Sequence, residues 1–117
     1  MKRDAIVIKE GDNVATALRD LAAAGCNMIV FATGRGAPRD FPFVPVVKLM
    51  GNALTWERMR DHMDMSVAGV IEGTESLPEA GERLVQKILA VSSGERTRAE
   101  ITGYTRAMDL YTTGPVI

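Results

Sequence analysis

Several scarcities bound what this sequence can be. It holds a single cysteine, which excludes an internal disulfide framework and makes a reducing, cytoplasmic compartment the default. It holds a single histidine, His62, and no cluster of cysteines, so candidates for a transition-metal site within this chain are few. Its charges nearly cancel, 14 Lys and Arg against 15 Asp and Glu for a net charge of −1, so bulk charge recruits neither nucleic acid nor a membrane surface. No apolar run approaches membrane-spanning length, and Met1-Lys2-Arg3 meets Asp4, Lys9 and Glu10 too soon to read as a signal peptide. Internal repeats and low-complexity segments are also missing.

What remains is a chain of 117 residues, 46% hydrophobic and 25% charged, consistent with one soluble globular domain over residues 1–117 and an adequate core. Its organising stretch is Asn27 to Asn52, NMIVFATGRGAPRDFPFVPVVKLMGN. An apolar run, Met28 to Phe31, stops at Thr33-Gly34-Arg35-Gly36, and a second, Val44 to Leu49, carries Lys48. The pattern predicts strand, loop, strand. The glycines let a ligand approach the main chain, and Arg35 offers a fork of donors suited to a carboxylate or phosphate. A solvated arginine on an ordinary surface turn is the alternative. Pro38, Pro42 and Pro45 stiffen the loop, which also carries Arg39 and Asp40 and is read either as a rim of a site or as a plain surface connection. An ammonium in a sheet interior needs a partner or a ligand, so Lys48 is a candidate site residue unless its strand is an edge with Lys48 facing water.

Ala5 to Ile8 reads as a strand closed by Gly11-Asp12. A helix follows, with Asn13 as N-cap, Val14, Leu18 and Leu21 on one face, and Gly25 at a left-handed C-terminal cap. With the Met28 to Phe31 strand this predicts a right-handed parallel crossover. Cys26 has no charged neighbour to activate a thiolate and reads as a small buried residue. Gly51-Asn52 ends the Lys48 strand, where Asn52 either caps the next helix or binds a hydroxylated ligand. Ala53 to Met63 is helical in pattern, with Trp56, Met59 and Met63 on one face. His62 and Asp64 form the minimum for an acid–base or metal pair but need an irregular turn to meet, and Asp64 is the better candidate. Val67 to Ile71 reads as a short strand or extended buried segment. Ser76-Leu77-Pro78-Glu79 is a capping box that opens a helix ending at Ser93-Gly94, and Thr97 with Glu100 repeats the signature. The tail from Tyr104 to Ile117 could add an edge strand.

Four motifs in order, FATGRG, FVPVVKLMGN, DHMDMSVAGVIEGTES and SSGERTRAE, resemble the C-terminal region of the altronate and galactarate dehydratase family of sugar-acid hydro-lyases over about Ala22 to Gly103. Ala32 departs from that pattern, which commonly has a second threonine there, and His62 stands where the family commonly has an acidic residue. The opening AIVIKEGDNVATALRDLAAAG, within residues 1–24, resembles the start of the same family's small N-terminal domain. A large central region normally separates the two. The chain therefore reads as an internal deletion or as a stand-alone small relative.

The expected architecture is α/β, a small largely parallel sheet of about four strands flanked by three or four helices. Its C-terminal edge should gather Thr33, Gly34, Arg35, Gly36, Lys48 and Asn52, with Asp64 nearby. The resemblance implies β-elimination of water from an aldonate or aldarate to a 2-keto-3-deoxy acid, with a divalent metal such as iron, although no metal site is evident from this chain alone. Such a reaction removes a proton beside a carboxylate, stabilises an enediolate and expels a hydroxyl, so it needs a cation, a base and an acid. On that scheme Arg35 holds the carboxylate, Lys48 stabilises the enediolate or moves the proton, and Asp64 or Asn52 binds sugar hydroxyls. Two other readings stand beside it. One is a non-catalytic sugar-acid-binding module or small subunit that completes a larger partner, with a homo-oligomer also expected from apolar runs such as Val116-Ile117. The other, a phosphate-binding loop at Gly34 to Gly36, lacks the Lys-Ser/Thr pair that would follow it.

Overall fold

The computed structural model describes residues 14–38 and 41–103, with side chains from residue 17 onward in the first segment. The expected strand at Ala5 to Ile8, its crossover, the Asn13 cap and the tail from Tyr104 lie outside the described residues. Within them the order is α1 (Val14–Ala23), β1 (Ile29–Thr33), β2 (Val46–Met50), α2 (Ala53–Met59), β3 (Met65–Ser66), α3 (Ala68–Glu72), α4 (Leu77–Ser92) and α5 (Arg98–Thr102). The three strands form one parallel sheet in the order β1-β2-β3, so the fold is α/β as expected, with three described strands and five helices.

Parallel sheets of this kind are covered on both faces, and β2 shows it: every residue from Val46 to Met50 is buried. Alternation along the strand divides the core in two. Val47 and Leu49 pack with Met65 of β3 and Val91 of α4, with Met28, Val67 and Leu84 around them. On the opposite face Val46 packs with Ile29 and with Leu18 of α1, bordered by Leu21, Cys26, Phe31, Phe41 and Val44. Cys26 is thus a half-buried packing residue. The loop between β1 and β2 is stiffened at its far end, where Phe41 bridges Val44 and meets Phe43 edge-to-face at 5.8 Å.

The helix limits follow local chemistry. Gly25 ends α1 with φ +91, as its position in the sequence suggests. The Ser76–Glu79 and Thr97–Glu100 capping boxes are both complete, and both helices begin there. Two expectations change. The helix predicted over Ala53 to Met63 stops at Met59 and turns, because the chain must reach Asp64 beside β2. The run Val67 to Ile71 is not a strand: β3 comes earlier, at Met65–Ser66, the ladder closes with Val67 N–H donating to Met50, and Ala68 starts a helix that Gly73 ends at φ +77. No described helix is long and apolar enough to cross a membrane.

Arg83 of α4 fastens that helix to the sheet. Its Nε and Nη2 donate to the two carboxylate oxygens of Glu75 at 2.6 and 2.7 Å, and Nη2 also donates to the Ser66 carbonyl at 2.9 Å. The guanidinium hydrogen bond holds the Glu75 carboxyl below its usual range, with the opposite charge adding to the same direction.

Two glycines make opposite predictions. A Cβ on Gly81, in the middle of α4, would meet nothing within 4 Å, so Gly81→Ala should raise stability by about 1 kcal/mol. Gly36 has φ +89 and a Cβ there would stand 2.6 Å from Met59 Sδ, so Gly36→Ala should lower it by about 1–2 kcal/mol from backbone strain alone. Urea unfolding of the two variants checks the signs. The Glu75 pair sets a pH prediction. A carboxyl depressed in the fold stabilises above its unfolded value, and that contribution disappears as pH falls through the folded one. Carbon-detected NMR should give a Glu75 midpoint below the ordinary carboxylate range that rises in Arg83→Gln; a midpoint indifferent to the substitution would exclude the guanidinium as its cause.

Candidate functional site

Lys48 occupies the centre of the central strand, and its side chain is 0% exposed. Its register partner on β1 is Phe31, and Thr33 pairs with Met50 one level further along. In-register neighbours and alternate residues share a face, so Lys48 stands in one column with Val46 and Met50, flanked by Phe31 and Thr33. The sequence alternative of a water-facing edge lysine is therefore replaced by a lysine enclosed in the sheet layer.

Its counter-charge is Asp64, immediately before β3, whose side chain is 1% exposed. Three backbone links fix this carboxylate. Asp64 N–H donates to the Lys48 carbonyl at 3.0 Å, Lys48 N–H donates to Asp64 Oδ2 at 2.8 Å, and Arg98 N–H donates to Oδ1 at 2.7 Å. The side chain thus takes the place of a strand carbonyl on one side and receives a free N–H of the first turn of α5 on the other. The Lys48 Nζ lies 3.8 Å from Oδ2, a charge pair beyond hydrogen-bond length, and this buried amine has no hydrogen-bond partner in the described structure.

The loop residues lie one level further along, at the C-terminal edge of the sheet. Thr33 Oγ1 accepts from the N–H groups of Arg35 and Gly36 at 3.3 and 3.2 Å, which folds the chain back over its own strand end. Gly36 then lies against Met50 and Met59, and Met50 shares its face of β2 with Lys48, while Gly34 and Arg35 are exposed. Asn52 is also exposed. Its Oδ1 accepts from Thr55 N–H at 3.0 Å as the cap of α2, which leaves its amide N–H groups as donors toward solvent.

The predicted residues therefore form two groups. Thr33, Gly34, Arg35, Gly36 and Asn52 line the edge, whereas Lys48 and Asp64 are a sealed pair beneath it. His62 turns off α2 through an N–H bond to the Met59 carbonyl, and its Nδ1 is a buried atom without a hydrogen-bond partner in the described structure. Arg98 was absent from the sequence reading because it contributes through its main chain, and a main-chain donor has no residue signature. Thr97 was legible as a cap, and it is fully buried beside this link. A shallow hollow of about 270 Å³ lined by Pro45, Val91, Gly94, Glu95, Arg96 and Glu100 lies at the opposite, N-terminal end of β2. Among the described residues no three His, Cys, Asp or Glu side chains converge as a metal-ligand set. A divalent ion is not fitted by these residues, and the roles below are those of the chain's own groups.

Residues 2–115 match the family model described as D-galactarate/altronate dehydratase, C-terminal. The chain is 37% identical over 83 residues to the (2R)-sulfolactate sulfo-lyase subunit beta of Chromohalobacter salexigens, covering 71% of this chain and 21% of that protein. It is 34% identical over 85 residues to the altronate dehydratase of Escherichia coli K12, covering 73% of this chain and 17% of the relative. It is 33% identical over 95 residues to the galactarate dehydratase (L-threo-forming) of the same organism, covering 80% and 18%. The chain thus spans about a fifth of the length of these curated relatives.

The pair is asymmetric in a way that unfolding experiments can read. Asp64→Ala leaves two backbone N–H groups without their acceptor and a buried ammonium without its counter-charge, and should cost about 3–5 kcal/mol. Lys48→Met leaves the Asp64 carboxylate buried without its counter-charge, but both main-chain hydrogen bonds to it remain in place, so its cost should be smaller than that of Asp64→Ala. Equal losses would show that the main-chain bonds to Asp64 add nothing beyond the charge pair, and the reverse order that the ammonium and not the carboxylate organises this part of the fold.

Proposed function

The chain belongs to the D-galactarate/altronate dehydratase C-terminal family, and from that membership we propose that it forms part of a sugar-acid dehydratase, which eliminates water from an aldonate or aldarate to give a 2-keto-3-deoxy acid. The observation that carries the reading is the Lys48 ammonium, buried, charge-balanced and with its donors unengaged, one level below a glycine loop at the sheet edge. Ligands of α/β proteins gather at such carboxyl-terminal strand edges.

In this reading Arg35 pairs with the substrate carboxylate from the exposed loop, which positions the carbon beside it. Solvent water takes the proton from that carbon, and the Lys48 ammonium stabilises the enediolate that forms, a role favoured by its low-dielectric surroundings, and gives a proton to the departing hydroxyl, which leaves as water; the amine regains its proton from solvent. The Asn52 side-chain amide and the main-chain N–H of Gly34 hydrogen-bond the sugar hydroxyls. Lys48 is sealed, so substrate contact requires its cover to move, and the packing of Gly36 against Met59 at that edge, a side-chain-free residue next to an unbranched one, suits such a movement. Dehydratases and a sulfo-lyase stand together among the relatives, which supports a site that recognises the 2-hydroxy acid end and tolerates different leaving groups.

The second reading is a module that binds the acid and completes a larger partner. Two facts favour it: the part of each relative that the chain matches is only 17–21% of that relative's length, and one of the relatives is named a subunit. In that case the base and the divalent metal come with the partner.

Turnover of altronate and galactarate by the purified chain with ferrous, manganous or magnesium ions, followed as 2-keto-3-deoxy acid, separates the two. Product formation lost in Arg35→Ala would support catalysis within these 117 residues. A folded sample that binds galactarate through Arg35 without turnover would support the module. A folded chain that neither binds nor converts either acid sinks both readings.

A further inference from the structure

The unusual feature of the Lys48–Asp64 pair is that its charges are close and its hydrogen bonds go elsewhere. Each Asp64 oxygen already receives a short bond from a main-chain N–H, Oδ2 from Lys48 and Oδ1 from Arg98, while Nζ remains 3.8 Å from Oδ2. A carboxylate free to rotate in a dry interior would close on the ammonium, because a charge-assisted hydrogen bond is shorter and stronger than a charge pair at that distance. Two rigid donors on different elements, β2 and the first turn of α5, prevent that rotation.

We infer that Asp64 is a positioning residue for Lys48: pinned by the Lys48 and Arg98 main-chain N–H groups, it neutralises the ammonium without capturing its protons, which stay available to an oxyanion from a bound carboxylic acid. This rests on the proposed reading for the identity of the ligand, though not for the placement of the ammonium. It also assigns a use to α5. The Thr97–Glu100 capping box fixes the start of that helix, Thr97 is fully buried, and the next N–H is the one that holds Oδ1. The third and fourth family motifs are thereby tied together at one carboxylate. Loosening α5 frees one oxygen, the carboxylate turns toward Nζ, and the ligand loses its donor.

The test uses the full chain in four forms: wild type, Asp64→Asn, Lys48→Met and the double variant. Calorimetric titration with galactarate should show a loss of affinity of about tenfold or more in Asp64→Asn, and no further loss when that change is added to Lys48→Met. A purely structural Asp64 would lower stability and leave the affinity of the folded protein unchanged. The Lys48 ammonium is followed separately by its proton–nitrogen NMR cross-peak, which exchanges slowly when the group is sealed. Asp64→Asn is expected to shift or broaden that signal whether or not galactarate binds. A shifted signal in a chain that does not bind galactarate upholds the positioning and overturns only the substrate reading. An unshifted signal, or additive affinity losses, overturns the inference. Should Asp64→Asn fail to fold, Arg98→Pro removes the donor to Oδ1 at a first helical position where proline is tolerated, with Arg98→Ala as the reference for the lost guanidinium. It too should move the Lys48 signal and weaken galactarate binding, and an unmoved signal overturns the inference in the same way.

Discussion

A carboxylate held by two main-chain donors beside an ammonium it does not bond is the constraint on which the rest of this structure depends. Removing two charges from water is costly, and an amine inside a parallel sheet is tolerated only with its counter-charge close by. Asp64 meets that condition and three architectural ones at once. It extends the ladder between β2 and β3, it ends the turn that follows α2, and it anchors the start of α5. Elements with little area of their own, a two-residue strand and a five-residue helix, are located by it.

The edge and the interior of the site are separate in depth yet contiguous. Thr33 and Met50 form one level of the sheet, and Phe31 and Lys48 the next below it. The loop that Thr33 folds back rests on Met50 and Met59 through Gly36, at the edge of the sheet face that carries Lys48. Family membership, together with the small share of each relative that the chain matches, is the ground on which chemical roles are proposed for this arrangement.

Much of this was legible in the residues. Thr33 to Gly36 announced a loop between strands, the two Ser/Thr-x-x-Glu boxes marked their helix starts, Gly25 marked a helix end, and a lysine amid valines and leucine marked itself as out of place. The misreadings have identifiable causes. Val67 to Ile71 is a short apolar run, and periodicity cannot separate a strand from one turn of buried helix at that length. The gathering of all candidates at one strand edge was read from their order along the chain, which gives no depth; register does, and it sets Lys48 inside. The Asp64–Arg98 contact joins a side chain to a main chain 34 positions away, and no local pattern encodes it.

The sheet order has a consequence for how the chain reaches this state. All described strands are parallel and neighbours in sequence, so no pair can begin from a tight hairpin. Residues 34–45 must close before β1 meets β2, and residues 51–64 before β2 meets β3. The capped helices need only local contacts, whereas sheet pairing must first overcome loop-closure entropy. Helical turns can therefore form ahead of the sheet, whereas Lys48 cannot lose its water until Asp64 has been carried back across the second of those loops.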